Sequence, residues 1–172
     1  MAIIVIDMLR GFLEKGYPLF CGTDSRKIIL PIRNLLEKRI EKEKVIFLRD
    51  EHREDDPEFR VFPKHCLEGS IESQVVPELQ EFWKKGIDVP KTRFSGFFGT
   101  NLDEILRKNT ADDESITAVG VCTDICVMYT VADLRSRDYD VIVPADCVAS
   151  FDKKAHKFAL DHMEKILGAK VI

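Results

Sequence analysis

The sequence has no apolar run near the ~18 residues that a membrane-crossing helix requires, so a membrane partner is not expected. It has no excess of basic charge: 26 Lys and Arg stand against 30 Asp and Glu, for a net charge of −4 and a pI near 5.6. A phosphate-backbone binder needs a basic face, so nucleic acid is not an expected partner either. There is no Gly-x-Gly-x-x-Gly and no P-loop, which removes the dinucleotide and nucleoside triphosphate readings. Internal repeats and low-complexity linkers are also missing, and 172 residues fit one domain, 1–172. The five cysteines, Cys21, Cys66, Cys122, Cys126 and Cys147, are odd in number and scattered, which is not a disulfide framework. Reduced, partly buried thiols are the expectation for Cys21 and Cys147. The opening Ala2-Ile3-Ile4-Val5-Ile6 is strand-like and lacks the basic region and small-residue cleavage site of a secretory leader. A cytoplasmic protein handling small molecules is the expectation.

What the sequence does have is an alternation of strands and helices. Strands are expected at 2–6, 44–48, 87–90, 115–121, 139–143 and 169–172, and helices at 24–44, 74–85, 102–108, 123–137 and 153–167. In the first long helix Ile28, Ile32, Leu35, Leu36 and Ile40 recur at helical spacing, and Pro31 is expected to bend or break its first turn. Strands that are apolar on both faces, separated by helices, indicate a parallel sheet covered on both sides. The fold class is therefore α/β: a single-domain three-layer α/β/α arrangement around a six-stranded, mostly parallel, doubly wound sheet. In such sheets ligands bind beyond the carboxyl ends of the strands. The informative segments are then 7–12, 49–66, 91–98, 121–126 and 144–150.

Three residues at those ends carry chemistry together. Asp7 directly follows the first strand, Lys91 ends the third, and Cys126 lies just after the fourth, where a helix begins. Backbone N–H groups at a helix start favour a thiolate and can hold an oxyanion, so a lowered thiol pKa is expected for Cys126. Asp7 could take the thiol proton, with Lys91 holding the resulting charges. Taken singly, each is as easily a turn cap, a solvated lysine or a small core residue. A second cluster, Asp50, His52, Glu58 and His65, lies in a polar stretch of ~25 residues, too long for a neutral connection. Asp50 and His52 sit two apart on extended chain, so their side chains point the same way. Two imidazoles and two carboxylates suit Zn²⁺, Mn²⁺ or Fe²⁺, and Asp55 or Asp56 could replace Glu58 in the set. His156 and His162 are read as surface residues of the last helix.

Together these segments resemble the isochorismatase-like cysteine hydrolases along essentially the whole chain. The resemblance rests on Val5-Ile6-Asp7-Met8 with Phe12, on Lys91-Thr92-Arg93-Phe94-Ser95-Gly96-Phe97, and on Gly120-Val121-Cys122-Thr123-Asp124-Ile125-Cys126-Val127. It implies Asp7, Lys91 and Cys126 as the catalytic acid, lysine and nucleophile. It also implies a cis peptide between Val121 and Cys122, with the backbone N–H groups of Cys122 and Cys126 as oxyanion donors. Within the family the sequence is most similar to nicotinamidases, through Asp50-Glu51-His52, Phe62-Pro63-Lys64-His65 and Glu58. That similarity implies a divalent metal on Asp50, His52, Glu58 and His65, and Phe12, Phe62 and Phe94 lining an apolar slot for a flat ring. The implied activity is conversion of nicotinamide and water to nicotinate and ammonia through a Cys126 thioester, and the implied assembly is a homo-oligomer. The segment Asp55-Asp56-Pro57-Glu58 also resembles relatives of N-carbamoylsarcosine amidase, so hydrolysis of a carbamoyl or ureido C–N bond is the alternative. A member that binds a small molecule or metal without turnover is the third possibility, which an unreactive Cys126 would mark.

Overall fold

The computed structural model describes residues 1–111 and 114–172. Ala2–Ile6 forms β1, buried along its whole length. The other strands are β2 (Lys44–Asp50), β3 (Ile87–Lys91), β4 (Ile116–Val121), β5 (Val141–Val143), β6 (Val148–Ala149) and β7 (Lys170–Val171). They make one sheet in the order β3-β2-β1-β4-β5-β7, with β6 against β4, and every pairing between them is parallel.

Alternation along β1 sends its side chains to two cores. Ile3 and Val5 pack with Leu13 of α1 (Arg10–Leu13), with Ile29, Ile32 and Leu36 of α2 (Ile29–Arg39) and with Phe82 of α3 (Gln80–Trp83). Ala2, Ile4 and Ile6 pack with Leu102 and Leu106 of α4 (Leu102–Asn109), Val131 and Leu134 of α5 (Met128–Arg135), and Met163 of α6 (Lys153–Lys165). This is the three-layer arrangement that the two-sided apolar strands predict.

The structure differs from the sequence expectations in particular places. Among the described residues the sheet has seven strands rather than the expected six. β5 pairs β4 only as far as Thr117, so the upper half of β4 lacks a neighbour there, and Val148–Ala149 pairs Gly120 and Val121 instead. The helix expected over 24–44 is a 3₁₀ segment, Thr23–Ile28, followed by α2. Pro31 is tolerated because it lies in the first turn of α2, where no intrahelical N–H bond is required. The helix expected over 74–85 shrinks to a 3₁₀ turn, Pro77–Leu79, and the four residues of α3. Pro77 holds Val76 in extended backbone, which blocks a helix across 74–76. The helix expected from 123 opens with one π turn, Thr123–Val127, before α5.

Parallel register sets the site. Ile6 pairs with Leu48 on one side and Gly120 on the other, and Asp50 pairs with Lys91. The residues that follow Ile6 and Gly120 therefore emerge beside Asp50 and Lys91. Gly120 has φ 125°, and a Cβ there would lie 1.9 Å from the Ile6 carbonyl oxygen. Neither the dihedral nor the space admits a side chain. Gly120→Ala is accordingly expected to lower stability by about 3 kcal/mol, read from urea denaturation. An unchanged midpoint would mean that β4 can move away from β1 without loss.

Candidate active site

β1 ends at Asp7, whose φ of 50° turns the chain out of the sheet. Its carboxylate is fixed from two sides. The Asp50 N–H donates to Oδ1 at 2.8 Å, and Lys91 Nζ lies 2.8 Å from Oδ2. Lys91 Nζ also donates to Asp50 Oδ1 at 2.5 Å and sits 3.6 Å from Cys126 Sγ. Cys126 and Asp7 are within hydrogen-bonding reach of each other. Asp7, Asp50, Lys91 and Cys126 are all buried. The Val121–Cys122 peptide is cis, as the resemblance implies, and the π turn then carries Cys126 toward Lys91.

Burial governs the charges. It raises the Asp7 carboxyl to about 6, against the pull of Lys91 and with the help of the Asp50 charge. Burial also opposes ionisation of Asp50, yet Lys91 and the bonds from His52 and His65 outweigh it and hold this carboxyl well below the usual range. Lys91 stays protonated because its two carboxylates outweigh its desolvation. For Cys126 the expectation of a lowered pKa is overturned. Burial, joined by the charges of Asp7 and Asp50, exceeds the effect of Lys91 and pushes the thiol well above its ordinary value. The resting sulfur is a protonated thiol, and a neighbouring base must take its proton when it reacts.

The second cluster also converges. One ligand-type atom from each of Asp50, His52, Glu58 and His65 lies within 4.8 Å of all the others. His52 Nε2 and His65 Nε2 approach Asp50 Oδ2 at 3.4 and 3.5 Å. Backbone bonds deliver His52: its N–H donates to the Cys66 carbonyl at 2.9 Å, and its carbonyl accepts from Glu68 at 2.8 Å. His65 Nδ1 meets the Pro63 carbonyl at 2.8 Å, which leaves Nε2 to face the cluster. Of the alternatives to Glu58, Asp55 is exposed and pairs with Arg53. Asp56 instead sits behind His52, 3.2 Å from Nδ1, where it also receives Arg93.

A divalent cation fits these residues on two observations. Both ring nitrogens of His52 are buried and, among the described residues, each meets only a carboxylate oxygen at the edge of hydrogen-bonding distance, Nε2 at 3.4 Å from Asp50 and Nδ1 at 3.2 Å from Asp56. Three buried or half-buried carboxylates, Asp7, Asp50 and Glu58, face one lysine, leaving two negative charges that a divalent cation cancels. Burial and the charge of Asp50 already raise Glu58 above its ordinary value.

Both clusters open into one cavity of about 280 Å³, lined in part by Asp7, Asp50, Glu58, His65 and Cys126. Phe12, Phe62 and Phe94 all line it. Phe62 and Phe94 meet edge to face at 6.2 Å, and Phe12 lies 5.8 Å from the His65 ring. Sequence reasoning missed the opposite wall: Leu19, Phe20, Cys21, Ile125 and Phe151. Residues 14–22 have no periodicity that would have marked them. It also misplaced His156, which is half-buried, its Nδ1 sharing a 2.8 Å hydrogen bond with Thr123 Oγ1 at the start of the π turn. A helix surface pattern cannot show that contact. Among the described residues no helix is long and apolar enough to cross a membrane.

Comparison with known proteins agrees with this geometry. The Isochorismatase domain matches residues 1–172. The pyrazinamidase/nicotinamidase of Streptococcus mutans UA159 superposes with a TM-score of 0.93 at 31% identity, covering 99% of both chains. The N-carbamoylsarcosine amidase of Thermoplasma acidophilum superposes with a TM-score of 0.86 at 34% identity, covering 99% of this chain and 94% of that one. The pyrazinamidase of Pyrococcus horikoshii, solved in complex with zinc, gives 0.88 at 28% identity, covering 99% and 97%. Fold and site thus define a hydrolase built on a parallel α/β sheet, of a class whose nicotinamidases and carbamoylsarcosine amidase act on C–N bonds. The chain belongs to the isochorismatase family.

Proposed function

We propose that this protein is a cysteine amidohydrolase that converts nicotinamide and water to nicotinate and ammonia. One observation carries the reading: a thiol and an acid, both touching a buried lysine, line the same aromatic-walled cavity as Asp50, Glu58 and His65 of the ligand cluster. Asp7 accepts the Cys126 proton, and its raised carboxyl makes it a competent base near neutral pH. The sulfur attacks the amide carbonyl carbon, and the oxyanion is met by the backbone N–H groups of Cys122 and Cys126. The C–N bond breaks as Asp7 passes the proton to the departing nitrogen, which leaves as ammonia. Asp7 then takes a proton from water, whose oxygen adds to the thioester; the C–S bond breaks, Asp7 returns the proton to the Cys126 sulfur, and the acid leaves and ionises to the carboxylate. Lys91 holds the charges of this cluster in place throughout. Asp50, His52, Glu58 and His65 would hold a divalent cation (Zn²⁺, Mn²⁺ or Fe²⁺), which when bound supplies a Lewis-acid anchor for the substrate. Phe12, Phe62 and Phe94 favour a flat ring by burial and edge contacts.

Ammonia release from nicotinamide by the purified, metal-loaded protein tests this. Absence of release from nicotinamide, with release from a carbamoyl or ureido compound, would move the reading to that substrate class. That alternative draws on the Thermoplasma match and on the Asp55-Asp56-Pro57-Glu58 segment. Release from none of these compounds would leave a binding protein.

The metal reading has its own check. Asp56→Ala removes the carboxylate facing His52 Nδ1 and is expected to weaken metal affinity by about 10- to 100-fold. Competition against a chromogenic chelator measures it. An unchanged affinity would mean that His52 is oriented by its backbone bonds alone.

A further inference from the structure

Besides Cys126, the cavity wall holds a pair of sulfurs whose side chains the proposed reaction does not use. Cys21 Sγ and Cys122 Sγ lie 3.4 Å apart, although the residues are 101 positions apart in the chain. Both are buried free thiols and both line the cavity, so a small oxidant entering it reaches them. The other sulfurs have different neighbours. Cys126 lies beside Lys91, Cys66 Sγ faces the Glu72 carbonyl at 3.7 Å, and Cys147 Sγ faces Asp146 Oδ1 at 3.4 Å.

We propose that Cys21 and Cys122 are a disulfide-forming pair, oxidised by a peroxide that enters through the cavity. The bond would tie segment 14–22, one wall of the site, to the turn that carries Cys126. In the first step one of the two sulfurs, as thiolate, attacks a peroxide oxygen. The O–O bond breaks, the sulfur becomes a sulfenic acid, and hydroxide leaves with the thiol proton as water. The second sulfur then attacks the sulfenic sulfur, the S–O bond breaks, and a second water forms. Two thiols are oxidised by two electrons and one hydrogen peroxide is reduced to two waters.

The geometry suits closure. A disulfide needs its sulfurs at about 2.05 Å, so the pair must approach by about 1.4 Å. Cys21 lies outside every helix and strand, which allows its side chain to adjust. Its main chain is nonetheless placed, by its N–H to the Phe12 carbonyl and by the Ser25 hydroxyl on its own carbonyl, both at 2.8 Å. The pairing is independent of which amide the site hydrolyses.

The test uses full-length Cys126→Ala protein, so that the nucleophile does not compete for oxidant. Hydrogen peroxide treatment is followed by N-ethylmaleimide under denaturing conditions, trypsin and mass spectrometry. Cleavage puts Cys21 on peptide 16–26 and Cys122 on peptide 109–135. The expected result is a linked pair of these peptides, about 2 Da lighter than the two thiol forms together and released by dithiothreitol. Closing so long a loop is also expected to raise the melting temperature by about 5 °C, a rise lost in Cys21→Ser and in Cys21→Ala. Wild-type protein with fragment spectra assigning the linked residue gives the same readout without the Cys126 substitution. Recovery of both peptides as maleimide adducts or separate sulfinic acids, or Cys21 linked to Cys66 or Cys147, would overturn the proposal.

Discussion

Cys126→Ala is expected to reduce ammonia release from nicotinamide by about 10⁴-fold or more while leaving metal binding intact. The size of the loss follows from the absence of a substitute. The other sulfur near the oxyanion position, Cys122, is directed at Cys21, 3.4 Å away. The Cys126 sulfur, by contrast, lies 3.6 Å from Lys91 and within reach of Asp7. The metal half of the expectation follows from the ligand set, which among the described residues is Asp50, His52, Glu58 and His65, without Cys126. Turnover is read by coupled ammonia detection and metal content by elemental analysis of the same preparation. Near-wild-type rates in Cys126→Ala beside an inactive Cys122→Ala would reassign the nucleophile. Loss of metal together with activity would mean instead that the substitution had disturbed the whole cavity.

The chemistry-bearing residues were legible because of where they stand in the chain. Parallel strands buried on both faces read as uninterrupted apolar runs, so the first polar residue beyond each run marks a strand end. Asp7 after Ile3-Ile4-Val5-Ile6 is found that way, Asp50 lies one residue beyond the polar Arg49 that ends the run Val45-Ile46-Phe47-Leu48, and register alone brings Asp50 opposite Lys91. The extended chain at 50–52 directs Asp50 and His52 to one side, and both join the ligand cluster. The far wall was not legible, since Leu19, Phe20 and Cys21 belong to irregular chain outside any helix or strand. The two-residue strand Val148–Ala149 was hidden for a related reason. It exists because β5 stops pairing partway up β4, a fact of tertiary register. The pKa of Cys126 was misjudged because a helix start was weighed without the burial that outweighs it.

Lys91→Met is expected to destabilise the metal-free protein by about 3–5 kcal/mol, the largest stability effect of any substitution considered. Lys91 is 2% exposed and lies between two buried carboxylates, at 2.8 Å from Asp7 and 2.5 Å from Asp50. Methionine matches its length and apolar stem, so cavity formation contributes little. The loss is that of the compensating charge, which leaves two acids in a site where burial already raises Asp7 to about 6. The sign can be isolated with a second substitution. Asp7→Asn removes one of the stranded charges, so Lys91→Met combined with Asp7→Asn is expected to be more stable than Lys91→Met alone, a coupling that a double-mutant cycle in urea measures. Adding a divalent cation should recover part of the loss through Asp50 and the histidines, but not the part that belongs to Asp7. A cost below about 1 kcal/mol for Lys91→Met, or simple additivity with Asp7→Asn, would mean that the two carboxylates take up protons or water without strain. Lys91 would then be needed for turnover alone, and the cluster would not depend on it to fold.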